Sequence, residues 1–197
     1  MNEVIKTIFE RRAVRKYLDK TVSKDLIEQL LESGRMAPSA MGKEPWRFYI
    51  VTSKDDIKLF SKEIIKEGMH NFPTMGVKKA FKAIVSGITH LSTLVDFFQA
   101  EDPVFHGAPV VIFIAAEKED EWAALDIGMC SQNIMLAAKS LGLDSCPVGF
   151  AKFIEKTKDY NKLGIPKDEQ VHLAIIVGYG DESPEVHERS KENAFYK

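Results

Sequence analysis

Three arginines near the start of the chain carry the clearest chemistry. Arg11, Arg12 and Arg15 stand at positions i, i+1 and i+4 and concentrate positive charge in a short segment. Guanidinium groups stay protonated at physiological pH, and their N–H forks match the oxygens of a phosphate. The spacing therefore predicts an anion-binding cluster, although three arginines on their own more often form a solvated basic surface.

A second segment, residues 38–46, follows about one helix later and reads Pro-Ser-Ala-Met-Gly-Lys-Glu-Pro-Trp. Its first five residues are small and polar enough to bring the backbone close to a ligand. The two segments in this order are a more specific signal than either segment alone.

Helical and strand patterns alternate along the chain and must position these segments. An amphipathic helix is predicted at the N-terminus and ends near the arginines. Ser23 is suited to begin the next helix as an N-cap, and Gly34 is suited to end it. Further helices are predicted over residues 54–67, 122–141 and 153–163, and strands over residues 46–51, 109–116 and 171–177. Helical patches at 77–88 and 91–98 fall in the least regular region, and the chain is polar from residue 181 onward.

The composition favours one domain, residues 1–197, and argues against several classes of protein. The 197 residues are 45% hydrophobic, and 27 basic against 29 acidic residues argue against nucleic-acid or membrane binding. Cys130 and Cys146 lack the spacing of metal ligands, so we expect no metal and a cytoplasmic location. The N-terminus does not resemble a signal peptide, and no apolar run is long enough to span a bilayer.

Side-chain catalysts do not stand out in the sequence. No serine lies in a Gly-x-Ser-x-Gly motif, and the five histidines are scattered. His172 lies in an apolar strand and is more typical of a hydrogen-bonded core histidine than of a catalyst. The turn at residues 178–180 is a weak dinucleotide fingerprint and is interpreted as the end of a strand. This absence is consistent with an enzyme whose cofactor carries the chemistry, so no catalytic side chain is predicted.

The first two segments resemble the FMN-dependent nitroreductase family, which has R-[RH]-[AS]-x-[RK] and P-S-x-x-N-x-Q-P-W at these places. Arg11, Arg12, Ala13 and Arg15 match the first motif position by position. The resemblance implies that Arg11 and Arg12 bind the phosphate and ribityl end of FMN. It also implies that Arg15 reaches the pyrimidine edge near N1 and O2.

The second motif implies a contact across a subunit boundary. Its matching residues, which in the family reach the flavin of the partner subunit, are Pro38, Ser39, Ala40 and Met41. Gly42 stands where the family has Asn, which removes a side-chain amide. Glu44 stands where the family has Gln, which adds charge, or it has a structural role ahead of Pro45.

A third match covers residues 142–150, after the long predicted helix. In the family this loop lays its backbone over the isoalloxazine and donates an N–H toward N5, and here it contains Pro147, Val148 and Gly149. The alternative is an ordinary turn between a helix and a strand. Nothing in the sequence lowers the pKa of the nearby Cys146, so a packing role is expected for that thiol.

Two less regular regions complete the predicted site. Arg189 and Lys191 stand where the family often places a basic pair that closes on the phosphate, or they belong to a solvated tail. Phe98, together with Met41, is a candidate for the substrate pocket, and Phe98 has a core position as its alternative.

The resemblance implies an α+β fold with a mainly antiparallel central sheet flanked by helices, and a homodimer with FMN at the subunit interface. The implied reaction is a ping-pong transfer of two electrons from NAD(P)H to a nitroaromatic, a quinone or a similar small acceptor. Alternatives are a dehydrogenase or reductive dehalogenase of the same fold, or a non-catalytic flavin-binding protein. A nucleic-acid-binding module is disfavoured by the near-neutral charge balance.

Overall fold

An antiparallel sheet forms the centre of the molecule. The computed structural model describes residues 1–71, 101–190, 192–195 and 197. The described strands are β1 (Arg47–Val51), β2 (Val110–Glu117), β3 (Asp144–Val148) and β4 (Glu169–Gly178). They pair in the order β1-β2-β4-β3, and every pairing is antiparallel. The predicted central strands at 109–116 and 171–177 are β2 and β4, whose residues are mostly apolar because both of their faces are covered.

Helices cover both faces of this sheet. The α-helices are α1 (Glu3–Glu10), α2 (Lys24–Arg35), α3 (Lys54–Asn71) and α4 (Ala123–Ser140). α2 and α4 pack on the face that carries Ile112, Ile114 and Ile175. α3 packs on the opposite face, against Phe113 and Ile176. The predicted α+β architecture is therefore confirmed. The predicted helical patches at 77–88 and 91–98 lie outside the described residues.

Close packing joins α2 to α4. A Cβ atom at Gly34 would lie 2.8 Å from Cγ1 of Ile134 and 3.1 Å from Sγ of Cys130. The first distance is shorter than real Cβ contacts and the second is unusually tight, so the glycine allows the two helices to approach. The prediction that Gly34 ends α2 is wrong, because the helix continues to Arg35. The predicted N-cap is confirmed, since the hydroxyl of Ser23 accepts the N–H of Leu26.

Two local predictions fail between α4 and β4. Residues 144–148 form the edge strand β3, which has no strand pattern in the sequence because of its polar start and Pro147. An edge position tolerates proline because one side of the strand needs no ladder partner. The predicted helix at 153–163 is instead two 3₁₀ segments, Gly149–Lys156 and Tyr160–Leu163. Thr157 separates them with an extended backbone, and its hydroxyl donates to the carbonyl of Ile154 at 2.8 Å.

The ends of α4 and β4 agree with the sequence. Gly142 follows α4 with a φ of 75°, the left-handed conformation that glycine adopts without strain. β4 ends at Gly178, as expected for the turn at 178–180. In the described part of the chain, no helix combines the length and apolar character needed to cross a bilayer.

Candidate functional site

The arginine segment is fixed along the edge of the sheet. Ala13 pairs in parallel with Ser145 of β3, and the N–H of Val14 donates to the carbonyl of Ser145 at 3.1 Å. Tyr17 pairs with Gly180, just beyond β4. The hydroxyl of Tyr17 donates to the carbonyl of Val14 at 2.7 Å, and burial raises the pKa of this phenol. The backbone between Arg11 and Tyr17 is thus held at two points, one on β3 and one just beyond the end of β4.

The three arginines of this segment have different surroundings. Nη1 of Arg12 donates to the carbonyl oxygens of Phe9 at 2.6 Å and of Arg11 at 2.7 Å. These bonds satisfy backbone acceptors at the C-terminal end of α1. The guanidinium groups of Arg11 and Arg15 form no hydrogen bond or ion pair with any described residue. Two cations at this edge of the sheet therefore keep their donors available.

The third predicted segment lies beside the first one. Cys146 and Val148 of β3 are buried, whereas Pro147 and Gly149 are exposed. A Cβ atom at Gly149 would meet nothing within 4 Å, so the backbone there is open to a ligand. The structure thus brings residues 11–15 and 144–149 together by direct strand pairing.

The thiol between these segments is not activated. Burial raises the pKa of Cys146, and the nearby positive charges of Arg15 and Arg11 oppose that rise without cancelling it. Cys146 is 2% exposed and packs in the core cluster on the α3 face of the sheet. The predicted packing role of Cys146 is confirmed, and Arg11 and Arg15 are shown to lie near the same strand.

The second predicted segment rests on the N-terminal end of α4. The N–H of Ala40 donates to both carboxylate oxygens of Asp126, at 3.2 and 3.1 Å. Asp126 is 1% exposed and lies in the first turn of α4, where a negative charge is favourable. The hydroxyl of Ser39 accepts the N–H of Glu44 at 2.9 Å. Sequence reasoning missed Asp126, whose only signal is an acidic residue at the start of an apolar helix.

The loop after Ser39 has an unusual backbone. Met41 and Glu44 have φ values of 54° and 47°, and Gly42 between them has a φ of 65°. A left-handed backbone at a residue with a side chain costs about 1–3 kcal/mol, and such strain is concentrated at ligand sites. The side chain of Met41 is 83% exposed. Gly42, a departure from the family motif, therefore serves this loop as a residue that adopts positive φ freely.

Two histidines near the sheet do not add charge to the site. His106 precedes β2 in a tight turn, where the carboxylate of Asp102 accepts the N–H groups of Phe105 at 2.8 Å and Gly107 at 2.9 Å. Burial lowers the pKa of His106, so its imidazole is neutral at pH 7. Burial also lowers the pKa of His172, whose buried Nε2 has no hydrogen-bond partner in the described structure. The predicted hydrogen-bonded core histidine is therefore wrong for that nitrogen.

The remaining predicted residues are not assembled with the others. Within the described residues, no hydrogen bond or ion pair connects residues 38–41 to residues 11–15. Arg189 lies exposed in the irregular C-terminal segment. Phe98 and Lys191 lie outside the described residues. In the described part of one chain, residues 11–15 with 147–149 and residues 38–41 thus form two separate groups.

A family model described as the nitroreductase family matches residues 8–179. The chain belongs to the nitroreductase family. Among curated nitroreductase relatives, a 4-nitrobenzoate reductase from Pseudomonas putida is 28% identical, over 91% of this chain and 86% of the relative. A protein of Archaeoglobus fulgidus with the provisional name NADH dehydrogenase/NAD(P)H nitroreductase is 29% identical, over 95% of this chain and 91% of the relative.

Solved nitroreductase structures share the fold. A nitroreductase with bound FMN from Desulfitobacterium hafniense superposes with a TM-score of 0.79 at 23% identity, covering 100% of this chain and 99% of that chain. A nitroreductase with bound FMN from Bacteroides fragilis gives a TM-score of 0.74 at 26% identity, covering 100% of this chain and 98% of that chain. The predicted family is confirmed, and the fold is that of a nitroreductase.

Proposed function

We propose that this chain is an FMN-dependent oxidoreductase that transfers two electrons from NAD(P)H to a nitroaromatic, a quinone or a similar acceptor. The observation that carries the proposal is the edge formed by residues 11–15 and 147–149. It combines two unpaired guanidinium groups with an exposed stretch of backbone. Membership of the nitroreductase family and the FMN in related structures support the same assignment.

The residues at this edge fit FMN. A phosphate dianion needs a fixed cation, and Arg11 keeps its N–H groups free for one, while the free N–H groups of Arg15 are available for the pyrimidine edge of the ring. A flat ring needs backbone without a bulky side chain, which Gly149 supplies. The residues proposed to hold FMN are Arg11, Arg12, Ala13, Arg15, Pro38, Ser39, Ala40, Met41, Pro147, Val148, Gly149, Arg189 and Lys191. When bound, FMN supplies hydride and electron transfer between NAD(P)H and the acceptor.

The chain's own residues then bind and orient FMN and the acceptor, and they polarise the flavin. The pairing of Ala13 with Ser145 fixes the distance between the arginine segment and β3. Asp126 and Ser39 fix the loop that carries Met41, which we propose to line the acceptor pocket with Phe98. No side chain is assigned as an acid or base, because catalysis here is positioning and electrostatics.

Residues 38–41 are separate from residues 11–15 in the described part of one chain, so a second copy of the chain would be needed to bring both groups to one FMN. α1 has no buried residue, yet Val4, Ile5, Ile8 and Phe9 are all large, apolar and at least 43% exposed. α1 packs beside α4, on which Leu125 is also exposed. Exposed apolar faces of this kind mark protein interfaces. We therefore propose a homodimer in which residues 38–41 of one subunit reach the FMN held by residues 11–15 of the other.

The proposal predicts that the purified protein is yellow and releases FMN, rather than FAD, when it is denatured and chromatographed. Steady-state assays with NADH or NADPH should then show oxidation that depends on an added nitroaromatic or quinone. Chromatography that finds FAD, or no flavin after incubation with FMN, contradicts the proposal. Bound FMN without any acceptor-dependent oxidation identifies instead a non-catalytic flavoprotein or a dehydrogenase or dehalogenase of the same fold.

A further inference from the structure

The loop of residues 39–47 holds a carboxylate in a fixed backbone. Met41, Gly42 and Glu44 all have positive φ, and this conformation is secured at two points. Asp126 accepts the N–H of Ala40, and the hydroxyl of Ser39 accepts the N–H of Glu44. The position of Glu44 relative to Met41 is therefore set by the loop.

The carboxylate of Glu44 has no ion-pair partner among the described residues. Its side chain is exposed and forms no hydrogen bond or ion pair with any described residue. Two cations lie close to Glu44 in sequence, and neither forms an ion pair with its carboxylate. Nζ of Lys43 lies 3.9 Å from the carboxylate of Asp120, and Nη1 of Arg47 donates to the backbone carbonyls of Trp46 at 3.1 Å and of Glu44 at 3.4 Å.

The surface next to this loop is also acidic. A cavity of about 300 Å³ is lined by four carboxylate residues and by two cationic residues of the loop. The carboxylates belong to Glu117, Glu119, Asp120 and Glu169. Lys118, between them in sequence, directs its ammonium to the carbonyl of Lys167. The field of this surface therefore adds to the negative charge of Glu44.

We propose that Glu44 is a specificity residue that favours neutral electron acceptors over anionic ones. The inference rests on the proposed function, in which Met41 lines the acceptor pocket. An aromatic ring that enters the pocket passes Met41 and meets the charge of Glu44, three positions further along the same loop. A carboxylate on the ring is repelled, whereas an uncharged ring is not.

The test compares 4-nitrobenzamide with 4-nitrobenzoate, which have nearly the same shape and differ in charge. The ratio of their kcat/KM values is measured for the wild-type protein and for Glu44→Gln. Removing this exposed charge should narrow the preference for the amide by roughly three- to tenfold. Using the change in the ratio cancels the different intrinsic reactivity of the two nitro groups.

A matched control is Glu28→Gln, which removes the same charge from the exposed side of α2 and should leave the ratio unchanged. The wild-type ratio should also narrow between about 0.1 and 1 M salt, where the screening length falls from about 10 to 3 Å. This measurement tests the charge without a substitution.

The two proposals fail in different ways. If Glu44→Gln leaves the ratio unchanged while the amide is reduced, the specificity role of Glu44 is wrong, whether or not added salt changes the ratio. If the wild-type protein with bound FMN reduces neither compound, the proposed acceptor class fails and the role of Glu44 falls with it.

Discussion

Replacing Arg11 with alanine is expected to weaken FMN binding roughly ten- to a hundredfold. The guanidinium of Arg11 has no partner among the described residues, so its donors are available for the phosphate. A hydrogen bond to a charged group contributes about 1.5–3 kcal/mol, which corresponds to that loss of affinity. Titration of the apoprotein with FMN, followed by quenching of flavin fluorescence, gives the dissociation constant directly.

Lys16→Ala is the matched control for Arg11→Ala. Lys16 lies in the same segment, but its ammonium is already 2.8 Å from the carboxylate of Asp181. Its removal takes away the same charge without taking away a free donor, so FMN affinity should change by much less. Equal losses in the two variants would show that the segment acts only through its overall charge, contrary to the assignment of Arg11.

Replacing Arg15 with glutamine is expected to lower the midpoint potential of the bound flavin. Two-electron reduction places negative charge near N1, and a guanidinium at that edge stabilises the reduced form more than the oxidised form. Loss of about 1.5–3 kcal/mol of that preference corresponds to a fall of about 30–65 mV for a two-electron couple. A redox titration of the reconstituted variant measures the shift.

The same two measurements separate the roles of the arginines. Arg15→Gln should change FMN affinity less than Arg11→Ala, while Arg11→Ala should change the potential less than Arg15→Gln. An unchanged potential in Arg15→Gln would mean that Arg15 is a third phosphate ligand or a surface charge, and the assignment to the pyrimidine edge would be wrong.

The central strands were predictable because burial on both faces leaves a continuous apolar run in the sequence. β2 and β4 consist mostly of aliphatic residues, which is typical of strands buried in this way. β3 was missed because its residues satisfy no strand pattern and its existence depends on pairing with β4. Gly34 was misinterpreted for a related reason. Its role is a contact with Ile134, a hundred positions away in the chain, which no local pattern reveals.

In the candidate site too, local motifs were predictable and contacts between distant parts of the chain were not. The sequence motifs locate the arginine segment and the residues of the second and third segments. They do not show that Ala13 pairs with Ser145, that Arg12 bonds the carbonyl oxygens at the end of α1, or that Asp126 holds Ala40. Each of these contacts depends on side-chain direction or on chain elements that meet only after folding.

We propose that FMN is held jointly by two subunits, and sedimentation of the yellow protein can test this sharing of the cofactor. Absorbance at a flavin wavelength and at a protein wavelength is followed while the protein is diluted through its dissociation range. We expect that the dimer carries the flavin and that flavin is released in step with dissociation. A sedimenting monomer that retains bound FMN would contradict the shared site.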